Sequence, residues 1–91
     1  MVSFRFFKEK VEKIKTMEIN NSDKYYLCGL YNQVTYGDNI TDNSNITDPD
    51  ELCIWTEWKN NLGMKQDIAM NKYCDYISTI INLMDKNIYK K

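Results

Sequence analysis

Apolar side chains along the chain recur at helical intervals. Phe4, Phe7, Val11 and Ile14 fall at three- and four-residue steps and mark one face of a helix over about Ser3 to Thr16. Leu27, Leu30 and Val34 do the same for a second helix from about Ser22 to Tyr36. There Ser22 is a candidate N-cap, Asp23 suits the positive helix start, and Gly37 is a fitting stop. Asp38 to Thr47 is rich in Asn, Asp, Ser and Thr and reads as a surface loop. It runs into Asp48-Pro49-Asp50-Glu51, where Asp48 can cap, Pro49 fits the first helical position and Glu51 can complete a capping box. A third helix follows from about Pro49 to Leu62, with Leu52, Trp55, Trp58 and Leu62 as its apolar repeat and Gly63 as its end. Trp55 and Trp58 read as core anchors. Tyr73, Ile77, Ile80, Ile81, Met84 and Ile88 give the clearest periodicity and predict a fourth helix from about Lys65 to Asn87. The pattern predicts an all-α bundle of four amphipathic helices, with a long loop between the second and third.

Composition narrows the function classes. Ninety-one residues bound the chain to a single domain, 1–91. With 12 Lys+Arg against 13 Asp+Glu there is no global basic field to recruit nucleic acid. No apolar run approaches the ~20 residues of a membrane span. The first eleven residues interleave Arg5, Lys8, Glu9 and Lys10 with apolar positions, unlike a secretory signal. Three cysteines, Cys28, Cys53 and Cys74, form no CxxC pair and read as reduced thiols in a cytoplasmic setting. With no histidine, the usual zinc sites and His-based acid–base catalysis are excluded. No nucleophile–base pair can be assembled, so an enzyme is not expected.

One stretch carries a specific signature: Tyr31, Gln33, Thr35 and Gly37-Asp38, then Trp55-x-x-Trp58, Leu62-Gly63 and Ala69-Met70-x-x-Tyr73. In order and spacing it resembles the four-helix acyl-CoA-binding proteins, over nearly the whole chain. The resemblance implies an up-down-down-up bundle and a non-catalytic intracellular carrier. Such a carrier buffers medium- or long-chain fatty acyl-CoA and delivers it, through transient contacts, to the enzymes that use it. It implies no cofactor beyond that ligand and a monomer. Tyr31 then matches the aromatic residue that stacks on adenine, Tyr73 the tyrosine that reaches the nucleotide, and Lys13 a lysine near the phosphates. The tail is expected between the second and third helices.

Three positions depart from the family pattern. Cys28 stands where the family has tyrosine, and Asn32 and Ile54 stand where it has lysines. Those family side chains converge on the 3′-phosphate of CoA. A hydrogen bond to a charged group contributes about 1.5–3 kcal/mol. Two lost cations therefore cost on the order of 3–6 kcal/mol, about two to four decades of affinity, unless Lys24, Lys59 or Lys72 redirects a charge. The alternative is a helical interaction module that has lost the nucleotide site. Cys28 reads as an inert thiol, since no histidine activates it.

Overall fold

The structure, a computed structural model, describes residues 2–91. Four helices follow one another: α1 (Phe4–Ile14), α2 (Asn21–Tyr36), α3 (Pro49–Lys59) and α4 (Gln66–Asp85). Ser3 caps α1, its hydroxyl oxygen accepting from the Phe6 N–H at 3.1 Å. The cap of α2 is Asn20 and not Ser22: the Asn20 side chain accepts from the Asp23 N–H at 2.8 Å, two residues earlier than the spacing suggests. Gly37 ends α2 at φ 80°, a conformation that disfavours any side chain. At α3, Asp48 occupies the cap position without a side-chain cap bond, so the expected capping box is absent and Pro49 alone sets the start. The helix also stops at Lys59, three residues before Leu62. From there the chain leaves in turns, with Asn61 N–H on Trp58 O and Leu62 N–H on Lys59 O.

Contacts at helix ends fix the directions. Val2 N–H bonds Asn71 Oδ1 near the starts of α1 and α4, and Asn20 N–H bonds Tyr89 Oη near their ends, so these two helices run together. Tyr25 donates to Asp50 at the starts of α2 and α3, and Trp58 Nε1 donates to Gly37 O at their ends. Gln66 Nε2 bonds Val34 O, which joins the start of α4 to the end of α2. The bundle is therefore up-down-down-up. α2 packs its backbone on both α3 and α4, whereas α1 packs on α4 alone.

The core draws on Phe7 of α1, Leu27, Leu30 and Val34 of α2, and Ala69, Met70, Tyr73, Cys74, Ile77 and Ile80 of α4. Phe7, Leu27, Leu30, Val34, Tyr73, Ile77 and Ile80 are inside as the apolar spacing predicts, and Ala69, Met70 and Cys74 join them; Phe4, Leu52, Leu62 and Ile88 of the predicted repeats are instead exposed. No residue of α3 is fully buried. Trp55 and Trp58 are thus not core anchors. Each is half-buried at an edge, where the indole N–H reaches an acceptor: Thr41 Oγ1 for Trp55 and Gly37 O for Trp58, both at 2.8 Å. Helices α2 and α3 instead close on each other at Gly29, where an added Cβ would lie 2.7 Å from Glu57 Cβ. The polar loop between them is pinned over its first residues. Asn39 is 0% exposed, donates to Trp55 O, and accepts from both the N–H and the hydroxyl of Thr41.

Candidate functional site

Helix α2 carries three stripes with three duties. Leu27, Leu30 and Val34 enter the core. Tyr25, Gly29, Asn32 and Tyr36 share the side turned to α3, where Tyr25 bonds Asp50, Gly29 meets Glu57 and the Tyr36 ring lies 5.8 Å from that of Trp58. Lys24, Cys28, Tyr31 and Thr35 share the remaining side, turned to α1. Because the α1 backbone leans on α4 and stands off α2, this last stripe borders open space.

Two cavities occupy that space and meet at Tyr31. The first, of about 350 Å³, is lined by Phe4, Phe7, Lys8, Val11, Glu12, Lys15, Tyr31, Val34, Thr35 and Gln66. The second, of about 290 Å³, is lined by Val11, Ile14, Lys15, Ile19, Lys24, Leu27, Cys28, Tyr31 and Tyr73. Both share Val11, Lys15 and Tyr31, so they adjoin as one trough; Lys8 and Glu12 border the first half, and the second is mostly apolar with Lys15 and Lys24 at its rim. Tyr31 is 39% exposed. Phe7 backs its ring at 6.2 Å between centroids and 21° between planes, which leaves the other face free for a flat partner. Phe7 in turn holds Tyr73 edge-on at 5.0 Å.

The other expected site residues separate. Tyr73 is 3% exposed and forms the floor of the apolar cavity. Burial pushes its phenol well above the ordinary value, so it stays neutral. Cys28 lies in the same wall, partly buried, and burial raises its thiol while Lys24 acts in the opposite sense. That is an unreactive thiol. Asn32 and Ile54 line neither cavity: Asn32 belongs to the α3-facing stripe and Ile54 is half-buried on α3. Lys13 is exposed and also lies outside the trough. The cations that do rim it are Lys8, Lys15 and Lys24, against Glu12. Positions 4, 8, 11 and 15 share a helical stripe with Phe4 and Val11, so Lys8 and Lys15 were detectable from spacing alone. Of the three lysines that could replace the lost charges, Lys24 reaches the trough. Lys59 is engaged elsewhere, bonding Asn39 O at 3.1 Å over the Trp55 ring.

Helices α2 and α3, where the tail groove is expected, meet closely at Gly29, and a further apolar space beside Tyr31 lies between α1 and α2. Chemically, the trough offers one free aromatic face, three ammonium groups and an apolar recess. It contains no nucleophile–base pair, and among the described residues no cluster of His, Cys, Asp and Glu could hold a metal ion.

Comparison with known proteins is consistent with that arrangement. The sequence model of the "Acyl CoA binding protein" family matches residues 4–77. "Acyl-CoA-binding domain-containing protein 3" of Oryza sativa subsp. japonica is 35% identical over 82 residues, which cover 88% of this chain and 51% of that protein. The chain therefore spans about half of that relative. "Acyl-CoA-binding domain-containing protein 2" of the same organism is 35% identical over 82 residues, covering 88% of this chain and 87% of that protein. The crystal structure of Oryza sativa Acyl-CoA-Binding Protein 2 superposes with a TM-score of 0.80 at 32% identity, covering 88% of this chain and 91% of that one.

Proposed function

The chain belongs to the acyl-CoA-binding protein family, and on that premise we propose that it is a non-catalytic carrier of fatty acyl-CoA esters. The family binds acyl-CoA as its ligand and needs no cofactor. In our reading residues 1–91 act as one acyl-CoA-binding domain, a monomer that works in the cytoplasm and hands its ligand transiently to acyl-CoA-using enzymes. No helix among the described residues is long and apolar enough to cross a membrane.

One observation carries the reading: the half-exposed Tyr31 ring, backed by Phe7, stands where a lysine-rimmed groove meets an apolar recess. A purine would lie on the free face of Tyr31. Lys8 and Lys15 would meet phosphates, since charge-assisted bonds are the strong ones in such a site. The hydrocarbon would enter the recess over Tyr73, gaining about 0.8 kcal/mol per buried CH₂. Lys13, Asn32 and Ile54 would act at the margin or not at all, and Cys28 would serve as wall. The interaction-module alternative finds no support in the fold or in the relatives. Isothermal titration with palmitoyl-CoA tests the assignment. Saturable one-to-one heat is expected, and no heat at tens of micromolar protein rules it out.

A further inference from the structure

We propose that this carrier does not read the 3′-phosphate of its nucleotide, so that acyl thioesters of dephospho-CoA are ligands on equal terms with those of CoA. This rests on the carrier reading, with the purine on Tyr31.

Positive charge stands on one side of Tyr31 only. On the α1 side Lys8 and Lys15 border the trough, with Glu12 among them. On the α3 side nothing answers them. From Tyr25 to Trp58 the chain has no lysine or arginine, yet Asp38, Asp42, Asp48, Asp50, Glu51 and Glu57 all fall in that stretch. Nearly all of α2, the polar loop and α3 therefore present a field of one sign, and it repels phosphate.

The immediate neighbours of Tyr31 repeat the pattern. Asn32 is half-buried on the α3-facing stripe and brings a neutral amide. Gly29, one turn before it on that stripe, lies against Glu57, whose Cβ is 2.7 Å from where a Cβ on Gly29 would stand. The Glu57 carboxylate thus belongs to the surface beside Asn32. Ile54, three residues before Glu57, adds no charge. The lysines outside this stretch are placed elsewhere. Lys59 donates to Asn39 O at 3.1 Å, Lys72 lines neither cavity, and Lys24 sits two turns before Tyr31, about 10 Å along the helix.

A CoA ester brings a 5′-diphosphate and a 3′-monoester, the latter with a charge of about −1.5 to −2 at neutral pH. The two leave opposite faces of the sugar ring. A diphosphate drawn to Lys8 and Lys15 turns the 3′-oxygen away from those ammonium groups. Its phosphate then meets one amide donor from Asn32 and the repulsion of Glu57, which offset each other. A charge-assisted bond would have favoured the CoA ester by about 10- to 150-fold, and here no cation is placed to make one.

The experiment titrates the protein calorimetrically with palmitoyl-CoA and palmitoyl-dephospho-CoA and reads the ratio of the two dissociation constants. The wild-type ratio should stay within about fivefold of unity. The double variant Asn32→Lys with Glu57→Gln exchanges the carboxylate for an ammonium group beside Tyr31. It should tighten the CoA ester about tenfold and leave the dephospho ester within about twofold. The ratio is read within each protein, so a uniform loss of affinity does not mimic the effect. Circular dichroism verifies folding, and the wild-type ratio decides the matter if the double variant does not fold. A wild type that favours palmitoyl-CoA by more than about fivefold overturns the proposal while leaving the carrier reading intact. So does a double variant whose ratio stays at the wild-type value, since the missing charge would then not be the reason. A wild type that binds neither ester overturns both.

Discussion

Gly29→Ala separates packing from propensity by the sign of its effect. On propensity alone the change should stabilise α2, because alanine is favoured over glycine by about 0.8–1.0 kcal/mol in a helix interior. The structure says the opposite. A Cβ at position 29 would lie 2.7 Å from Glu57 Cβ, 2.8 Å from Glu57 C and 2.9 Å from Trp58 N. Two of these are backbone atoms of α3, which no rotamer change can move aside. Ordinary contact begins at 3.4 Å, so α3 must retreat by about 0.7 Å. Overpacking costs about 1–3 kcal/mol; with two backbone atoms inside 3.0 Å the cost lies in the upper part of that range, about 2–3 kcal/mol, and subtracting the propensity gain leaves a net loss of about 1–2 kcal/mol. For a domain of this length each kcal/mol moves Tm by about 4–8 °C, so the melt followed by circular dichroism at 222 nm should fall by roughly 5–15 °C. Trp58 fluorescence should change with it, since the indole's bond to Gly37 O spans the same two helices. A variant as stable as the wild type, or more stable, would refute the close approach of α2 and α3.

Tyr31→Ala should weaken palmitoyl-CoA binding about 5- to 150-fold in calorimetry, the range expected for a lost base–aromatic stack of about 1–3 kcal/mol, while Tyr31→Phe stays within about twofold. Equal losses in the two would show that the hydroxyl matters and the ring face does not. Asn39→Ala should cost about 1–3 kcal/mol in urea denaturation at unchanged m, because Trp55 O and the Thr41 donors lose their buried partner. An unchanged midpoint would mean that the loop is not pinned there. The Asp38 carboxyl is held below its usual range, first by the Gly63 N–H and then by the Gln33 amide. A depressed carboxylate contributes stability above its unfolded value, and that contribution is lost as pH falls through the folded one. Asp38→Asn should therefore flatten the fall in stability below about pH 4, and acid denaturation curves that superpose with wild type would contradict this.

The bundle was readable from the chain because its core is periodic. Leu27, Leu30 and Val34, or Tyr73, Ile77 and Ile80, need no context beyond helical spacing to be placed inside. The tryptophans were misread for a related reason. Size and spacing argue for burial, but an indole N–H demands an acceptor, and the acceptors at Thr41 and Gly37 belong to segments with no periodicity to announce them. The cap of α2 slipped by two residues because Asn20, Asn21 and Ser22 are all competent caps, and only the contacts of Asn20 with Tyr89 and Lys90 decide among them. At the candidate site, Tyr31 was legible through its motif. Lys8 and Lys15 lay on a helical stripe that spacing already defined, whereas Lys13 falls on the opposite side of it. The position of the apolar recess was not legible, since it depends on how far α1 stands from α2, and that distance is set by packing on α4.

That lopsided attachment of the first helix has a further outcome. A guest that wedges between α1 and α2 pushes on a panel hinged along one side, while Leu30 and Ile77 stay sealed behind it. Phe7 is the fully buried bolt of that panel, so substitutions elsewhere on its open side can widen or stiffen the doorway while the fold's own foundation stays untouched.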